Sequence, residues 1–350
     1  MALTDAVRDR VRTQFFRTLE RAFDTDDGRA IAVGALDGLL EWRPRLPAAG
    51  LPAPYPDLGR AVPSRDYTGT VFISARFRTG STLVWNLFRQ LDGCVAYYEP
   101  LNERRWFDPA RRGNRIDRTH RGVEEYWREY EGLADLIDVY REAWVDRQLV
   151  MGAGAWAPRL RRFFDRLITH AGAKRAILQD NRLDFRLPWL RAQFPGATLV
   201  HLYRHPRDQW CSTLMNPERV PRDITIGAFE PHDHFYLRRW ARDLRRHFPF
   251  LASDDGTNAY RTFYFIWKLS YLFGAAYADH SMSFEALVTS PALQIDSLLA
   301  ACAMPGDPQA LATLVGDAPR QGWRAFAPDA WFEDHEAACD DVIEEFLRGQ

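Results

Sequence analysis

The sequence predicts an α/β protein, a parallel sheet flanked by helices, and three observations carry that prediction. Short apolar, β-branched runs recur at TVFISA (70–75), VAYY (95–98), RAILQ (175–179) and ATLVHLY (197–203). Such runs suit strands buried on both faces. Helical patterns separate them, and strands alternating with helices pair in parallel through right-handed crossovers. The first run passes directly into a glycine loop and then a helix, the context that a phosphate-binding turn requires.

Taken in order, residues 1–43 read as two amphipathic helices, and six prolines between Pro44 and Pro63 then fix extended backbone. Residues 1–69 are therefore expected to form a helical extension with a proline-rich wrap, and 70–350 a single α/β domain. After TVFISA a helix places Leu83, Leu87 and Leu91 on one face. VAYY is the second strand, and 103–175 is expected to be a largely helical, charged insert. RAILQ, a helix over DFRLPWLRAQF and the strand ATLVHLY follow, then a helix opening at HPRDQWCSTL. A loop rich in Pro, Asp and His spans 216–235. Helical patterns cover about 235–250 and 258–278, with Trp240, Trp267 and Tyr271 expected in the core. MSFEAL (282–287) reads as a last strand entering a helix, LQIDSLLAAC as a helix, RQGWRAF (320–326) as a loop, and 333–348 as a closing acidic helix.

Bulk properties narrow the function. The chain has 350 residues, 46% hydrophobic and 13% aromatic, enough for a sizeable core. A net charge of -1 gives no reason to expect nucleic acid or an anionic membrane as partner. The basic residues are almost all arginine, with lysine only at 174 and 268. Cys94, Cys211, Cys302 and Cys339 are scattered without a CxxC pair, which suggests free thiols and no zinc site. No apolar run is long enough to span a bilayer, and the N-terminus lacks the apolar stretch of a signal peptide. A soluble cytoplasmic protein is expected.

Two stretches look built for oxyanions. In ARFRTGST (75–82) a small residue, four others, a glycine and a hydroxyl residue give a P-loop-like frame, but Ser81 stands where ATP-binding loops carry lysine. Gly80 lets the backbone curl so that successive N–H groups converge on an anion, and the helix start adds free donors and its positive dipole end. Arg76 and Arg78 add charge; Ser81 and Thr82 add hydroxyls. A tight strand–helix turn with a capping hydroxyl would look similar. In LVHLYRHPRDQWCS, Arg204 falls at a strand end, and Ser212, two turns into the next helix, leans back toward it. Arg204 as a surface charge with Ser212 as filler is the plainer alternative. Two anion turns at the carboxyl edge of one parallel sheet suit a nucleoside carrying phosphates at both the 5′ and 3′ positions.

These motifs resemble the sulfotransferases that use 3′-phosphoadenosine 5′-phosphosulfate (PAPS). Arg78-Thr79-Gly80-Ser81-Thr82 is similar to that family's 5′-phosphosulfate loop, and Arg204 with Ser212 eight residues on is similar to its 3′-phosphate motif. Tyr98-Glu99-Pro100-Leu101 resembles a segment of carbohydrate-type members. MSFEALVTSP resembles a later family segment, with Phe284 where an adenine-contacting Tyr often stands. Arg320-Gln321-Gly322 resembles the late loop that closes on the 3′-phosphate. Leu83 departs from the family, since many members stack a Trp there on adenine. Many members also carry Lys where this chain has Arg78, a substitution that keeps charge and adds a bidentate fork.

The resemblance implies in-line sulfuryl transfer to a hydroxyl or amine, releasing adenosine 3′,5′-bisphosphate, with no metal demanded. Arg78, the Gly80 backbone and Ser81 would face the charge that grows on the donor. Glu99 is the first choice as general base, a salt-bridged carboxylate being its alternative, and Asp180 is the second choice. The nucleotide-binding set expected is Arg78, Thr79, Gly80, Ser81, Thr82, Arg204, Ser212, Phe284, Arg320 and Gly322. Seven arginines between Arg104 and Arg121 either line a mouth for an anionic acceptor or form a solvated face. PHDHF (231–235) reads as part of an acceptor-side lid rather than a zinc site. The acceptor, whether small molecule, glycan or natural product, is not specified by these residues. A degenerate P-loop kinase or NTPase and a non-catalytic nucleotide or polyanion binder are the competing readings.

Overall fold

The structure is a computed structural model that describes Gln14, Thr18 and residues 66–113, 120, 123–252, 255–316 and 321–349. The helices and proline-rich wrap expected before residue 66 otherwise lie outside the described residues. Five strands, Val71–Ala75 (β1), Cys94–Tyr98 (β2), Arg175–Asp180 (β3), Thr198–Tyr203 (β4) and His280–Ser283 (β5), form one sheet in the order β2-β3-β1-β4-β5. All four pairings are parallel. The expected α/β class and parallel sheet are thus present. β1 lies at the centre with every residue buried; its one polar side chain, Ser74, is satisfied by the buried Asp184 carboxylate.

Helices return the chain between strands. Ser81–Arg89 (α1) follows β1, Pro158–His170 (α2) precedes β3, Leu187–Gln193 (α3) follows β3, and Pro206–Thr213 (α4) follows β4. Pro158 and Pro206 occupy first-turn positions, where the missing N–H costs nothing. Leu237–Leu244 (α5) and Ala259–Tyr277 (α6) come next; the Asn258 side chain caps α6 by accepting from the Tyr260 amide at 2.8 Å. Phe284–Thr289 (α7), Pro291–Ala301 (α8) and Asp329–Arg348 (α9) complete the set used below.

Two clusters make the core. One joins the sheet to α1, α2, α3 and α8 through residues such as Phe72, Trp85, Phe164 and Trp189. The other gathers α4, α5, α6 and α9 around Trp210, Trp240, Tyr260 and Phe332. Mid-helix Gly274 belongs to the contact between α6 and β4, because a Cβ there would fall 2.0 Å from the His201 ring. The buried Asp184 carboxylate accepts from the Ser74 hydroxyl of β1 and, at 2.6 Å, from the Ser270 hydroxyl of α6.

Two expectations need correction. The described residues between 103 and 157 form mostly turns and single helical turns, and α2 is the one long helix of the described part of the insert. Aromatic anchors set this path. The Tyr130 hydroxyl donates to the Tyr98 carbonyl and that of Tyr140 to Leu101 and Asn102 carbonyls, while Trp106, Phe107, Tyr126 and Trp144 are buried. Left-handed backbone at Arg105, Gly113, Gly132 and Gln148 interrupts any helical run. Tertiary packing overrides local periodicity here. The last strand, in turn, lies two residues earlier than expected, and Phe284 starts α7 behind a Ser283 cap.

Candidate active site

The carboxyl end of every strand opens on one cleft of about 840 Å³. β1 supplies Arg78, Gly80, Ser81 and Thr82, β2 Glu99, β3 Asn181 and Arg182, β4 Arg204, and β5 Phe284. This edge is where parallel sheets bind ligands.

The loop after β1 is shaped by two left-handed residues, Arg78 at φ 66° and Gly80 at φ 90°. Gly80 is required at its position for a second reason. A Cβ there would stand 2.4 Å from the Phe284 ring, which packs directly on the glycine. The turn is closed by Thr79, whose amide and hydroxyl both donate to the Arg76 carbonyl. Thr79 is buried and absent from the cleft wall, so it holds the loop rather than facing a ligand. Among the described residues, the amides of Gly80, Ser81 and Thr82 meet no acceptor. These donors open on the cleft at the start of α1.

Arg76 does not join them. Its guanidinium is buried 4.8 Å from the Trp240 ring, with Nε and Nη1 lacking hydrogen-bond partners, and burial lowers its pKa to about 10. The expectation that Arg76 adds charge to the loop's anion site is therefore corrected; alternation along the loop turns Arg76 inward and leaves Arg78 on the cleft.

Arg78 and the second anion motif touch. Arg78 Nε donates to Ser212 Oγ at 3.0 Å, and Arg204 Nη1 donates to the Arg78 carbonyl at 3.0 Å. Arg204 is placed by Trp267 of α6, whose Nε1 donates to the Arg204 carbonyl at 3.0 Å. Burial lowers the pKa of Arg204, and its buried Nε has no partner. Its Cζ lies 5.0 Å from the centroid of the Phe284 ring. The late loop arrives at the same place: the Gln321 amide donates to Asp208 Oδ2 of α4 at 3.0 Å, and Gly322 lines the cleft. Arg320 lies outside the described residues.

At the opposite end of the cleft, Glu99 occupies left-handed backbone at φ 40°. Its carboxylate is buried and accepts from Asn181 Nδ2 (2.6 Å), Asn102 Nδ2 (2.5 Å) and Arg182 Nη1 (3.2 Å). The Tyr98 side chain also hydrogen-bonds it, and Glu99 borders the cleft. Asp180 is elsewhere. It is fully buried, absent from the cleft wall, and accepts from the amides of Leu101 (2.6 Å) and Arg182 (2.9 Å). Burial raises its pKa to about 6, against the opposing pull of Arg182. Asp180 therefore ties the β2 and β3 ends together from behind the cleft wall.

Several cleft residues were not singled out by the motifs. His120 is one of them: its Nε2 lies 3.2 Å from Thr82 Oγ1, which also shares a hydrogen bond with the Tyr98 hydroxyl (3.0 Å). Phe77, Glu103, Arg182 and Tyr236 also line the cleft. The 216–235 loop was legible as a wall: Pro217, His234 and Phe235 reach the cleft, whereas Asp233 caps α5 by accepting from the Leu237 and Arg238 amides. No group of His, Cys, Asp and Glu suited to a metal ion occurs among the described residues. Nor, among them, is any helix long and apolar enough to cross a membrane.

The arginine run does not line the cleft where it is described. Arg104 lies 6.0 Å from the Trp106 ring, Arg105 pairs with Glu142 at 3.0 Å, Arg112 lies 3.7 Å from the Trp127 ring, and Arg111 is exposed. Arg115, Arg118 and Arg121 lie outside the described residues. Among the described residues, four of the eight non-glycine residues with positive φ, Arg78, Glu99, Met215 and Tyr236, border the cleft. Backbone strain of this kind gathers at functional sites.

A model of the sulfotransferase family matches residues 70–308. No curated protein matches the chain. Among solved structures, the chain is similar to the sulfotransferase domain from the Synechococcus PCC 7002 olefin synthase, with 16% identity over 81% of this chain and 97% of that one and a TM-score of 0.38. A sulfotransferase from Mycobacterium avium matches with 12% identity over 82% of this chain and 78% of that one, TM-score 0.40. Retinol dehydratase in complex with androsterone and inactive cofactor PAP matches with 12% identity over 79% and 80%, TM-score 0.32.

Proposed function

The chain belongs to the sulfotransferase family, and from that premise we propose that it moves a sulfuryl group from PAPS to a hydroxyl or amine of an acceptor. The observation that carries this reading is the joining of the two anion motifs in one cleft through Arg78, Ser212 and Arg204. The residues fit a bisphosphorylated nucleoside. The acceptor-free amides of Gly80, Ser81 and Thr82 and the partnerless Nε of Arg204 are donors waiting for oxyanions.

When bound, PAPS supplies an activated sulfuryl group on a stable leaving group. Arg78, Ser81 and the loop amides hold the 5′ end and stabilise charge that develops there. Arg204, Ser212 and the Gln321–Gly322 turn hold the 3′ phosphate. Phe284, beside both Gly80 and Arg204, offers a ring face for the purine. Glu99, on the β2 side, takes the proton of the attacking hydroxyl, while Asn102, Asn181 and Arg182 keep it aimed. Orientation of the acceptor against the donor supplies much of the remaining rate.

The test is ligand-dependent stability followed by turnover. Adenosine 3′,5′-bisphosphate at about 100 times its Kd stabilises the fold by about 2.7 kcal/mol. ATP with magnesium is expected to leave the melting temperature unchanged. Incubation with sulfur-labelled PAPS and an extract of the source cell is then expected to yield a labelled product. Protection by ATP–magnesium together with ATP hydrolysis would replace this reading with an NTPase.

A further inference from the structure

The base and the acceptor-side wall of the cleft meet at one buried guanidinium. Arg182, 1% exposed, donates from Nη1 to Glu99 Oε2 (3.2 Å) and from Nη2 to Glu103 Oε2 (2.7 Å), and Nη1 lies 3.7 Å from Asp180 Oδ1. Its amide is tied to Asp180 and its carbonyl to Arg186 Nη1 at 3.0 Å, so its main chain is fixed. Phe77 and Tyr236 place their rings 5.3 Å and 6.0 Å from its Cζ. The Tyr236 and Glu103 side chains also interact. Tyr236 ends the segment whose Met215, Pro217, His234 and Phe235 line the cleft, and it is held at φ 64° where α5 begins.

We propose that Arg182 is the positioning residue for Glu99, and that Tyr236, acting through Glu103, couples this positioning to the seating of residues 215–236 over the acceptor. A fork shared by three carboxylates redistributes when one partner moves. With Tyr236 seated, Glu103 is pinned and occupies Nη2, which leaves Nη1 for Glu99. When Tyr236 withdraws, Glu103 is released toward solvent (its side chain is already 41% exposed) and the fork is free to turn. The base is thus aimed when the segment is down, and acceptor binding and proton abstraction become linked. The inference rests on Glu99 being the base.

Three full-length variants test it: Tyr236→Phe, Glu103→Gln and Arg182→Lys. Each is assayed with sulfur-labelled PAPS and 2-naphthol as probe acceptor, and by amide hydrogen exchange over 215–236. Affinity for adenosine 3′,5′-bisphosphate is expected to stay unchanged in all three, since none touches that end of the cleft. Arg182→Lys is expected to lose about 10–100-fold in kcat, the cost of a misplaced catalytic group. Tyr236→Phe is expected to raise the KM for 2-naphthol about 3–10-fold and to speed exchange in 215–236, a few-fold binding loss typical of one hydrogen bond. The Tyr236→Phe/Arg182→Lys pair is expected to lose less than the product of the single losses, because both act through the same fork. Full kcat in Arg182→Lys, or multiplicative losses in the pair, overturns the proposal. If the wild-type chain transfers sulfate to no acceptor, the base reading has failed. The exchange arm still decides the coupling: faster exchange over 215–236 in Arg182→Lys supports it, and an unchanged rate sinks it.

Discussion

Arg78 Nε donates to Ser212 Oγ across 3.0 Å, although 134 positions separate the two residues. The loop after β1 and the helix after β4 are therefore one binding surface, and substitutions in either are expected to act on the same ligand.

Replacing Arg204 or Ser212 by alanine should weaken adenosine 3′,5′-bisphosphate more than adenosine 5′-monophosphate, which lacks the 3′ phosphate. Loss of a hydrogen bond to a charged group costs about 1.5–3 kcal/mol, so a loss of roughly 10–150-fold is expected for Arg204→Ala and less for Ser212→Ala. Titration calorimetry with both nucleotides measures it. Equal losses for the two nucleotides would place the 3′ phosphate elsewhere.

Glu99→Gln should reduce kcat by about 10²–10⁴-fold, the usual contribution of a general base. The bisphosphate should still raise the melting temperature as in the wild type. A variant that keeps its turnover would remove Glu99 from the chemistry.

Gly80→Ala should both destabilise the chain and abolish the nucleotide response. The added Cβ meets the Phe284 ring at 2.4 Å, and φ 90° is unfavourable for alanine, together about 1–3 kcal/mol or more. Adding Phe284→Ala relieves the clash but not the backbone, so the double variant should recover stability only in part. Chemical denaturation of the three proteins checks this.

Asp180 gives the chain a pH signature. Burial raises its pKa from 3.8 to about 6, so the folded state binds this proton more tightly than the unfolded chain. The stability it contributes is fully present below pH 3.8 and is lost as pH rises through 6, on the order of 3 kcal/mol. Asp180→Asn removes that dependence. The difference in unfolding free energy between wild type and variant should therefore slope between pH 4 and pH 6 and be flat above pH 7.

β1 to β4 were legible because buried parallel strands leave short apolar runs, whereas β5, His280–Ser283, has no such run and was placed two residues late. Both anion motifs were legible for a related reason: a glycine at a left-handed turn and an arginine at a strand end are local features. What sequence missed was made by tertiary approach. Arg182 lies two positions past Asp180 and looks like any loop arginine until Glu99 and Glu103, some eighty residues earlier, fold against it. The residue at the end of a strand points either into the core or out to the ligand, position alone does not decide which, and Asp180 points away from the cleft. The insert's helical periodicity was real as a pattern, but buried aromatic hydroxyls bonded to the β2 end redirected the backbone.

Neighbouring parallel strands lie about 4.8 Å apart, so the sheet edge works as a ruler. Along it stand Glu99, Arg182, the Arg78 loop, Arg204 and Phe284, in the order of their strands. Main-chain ladders, rather than side chains, set those intervals. A mutant library confined to 102–140 and 215–236 would then vary what is recognised at one end of the scale without recalibrating the other, which makes these segments the place to search for new selectivities.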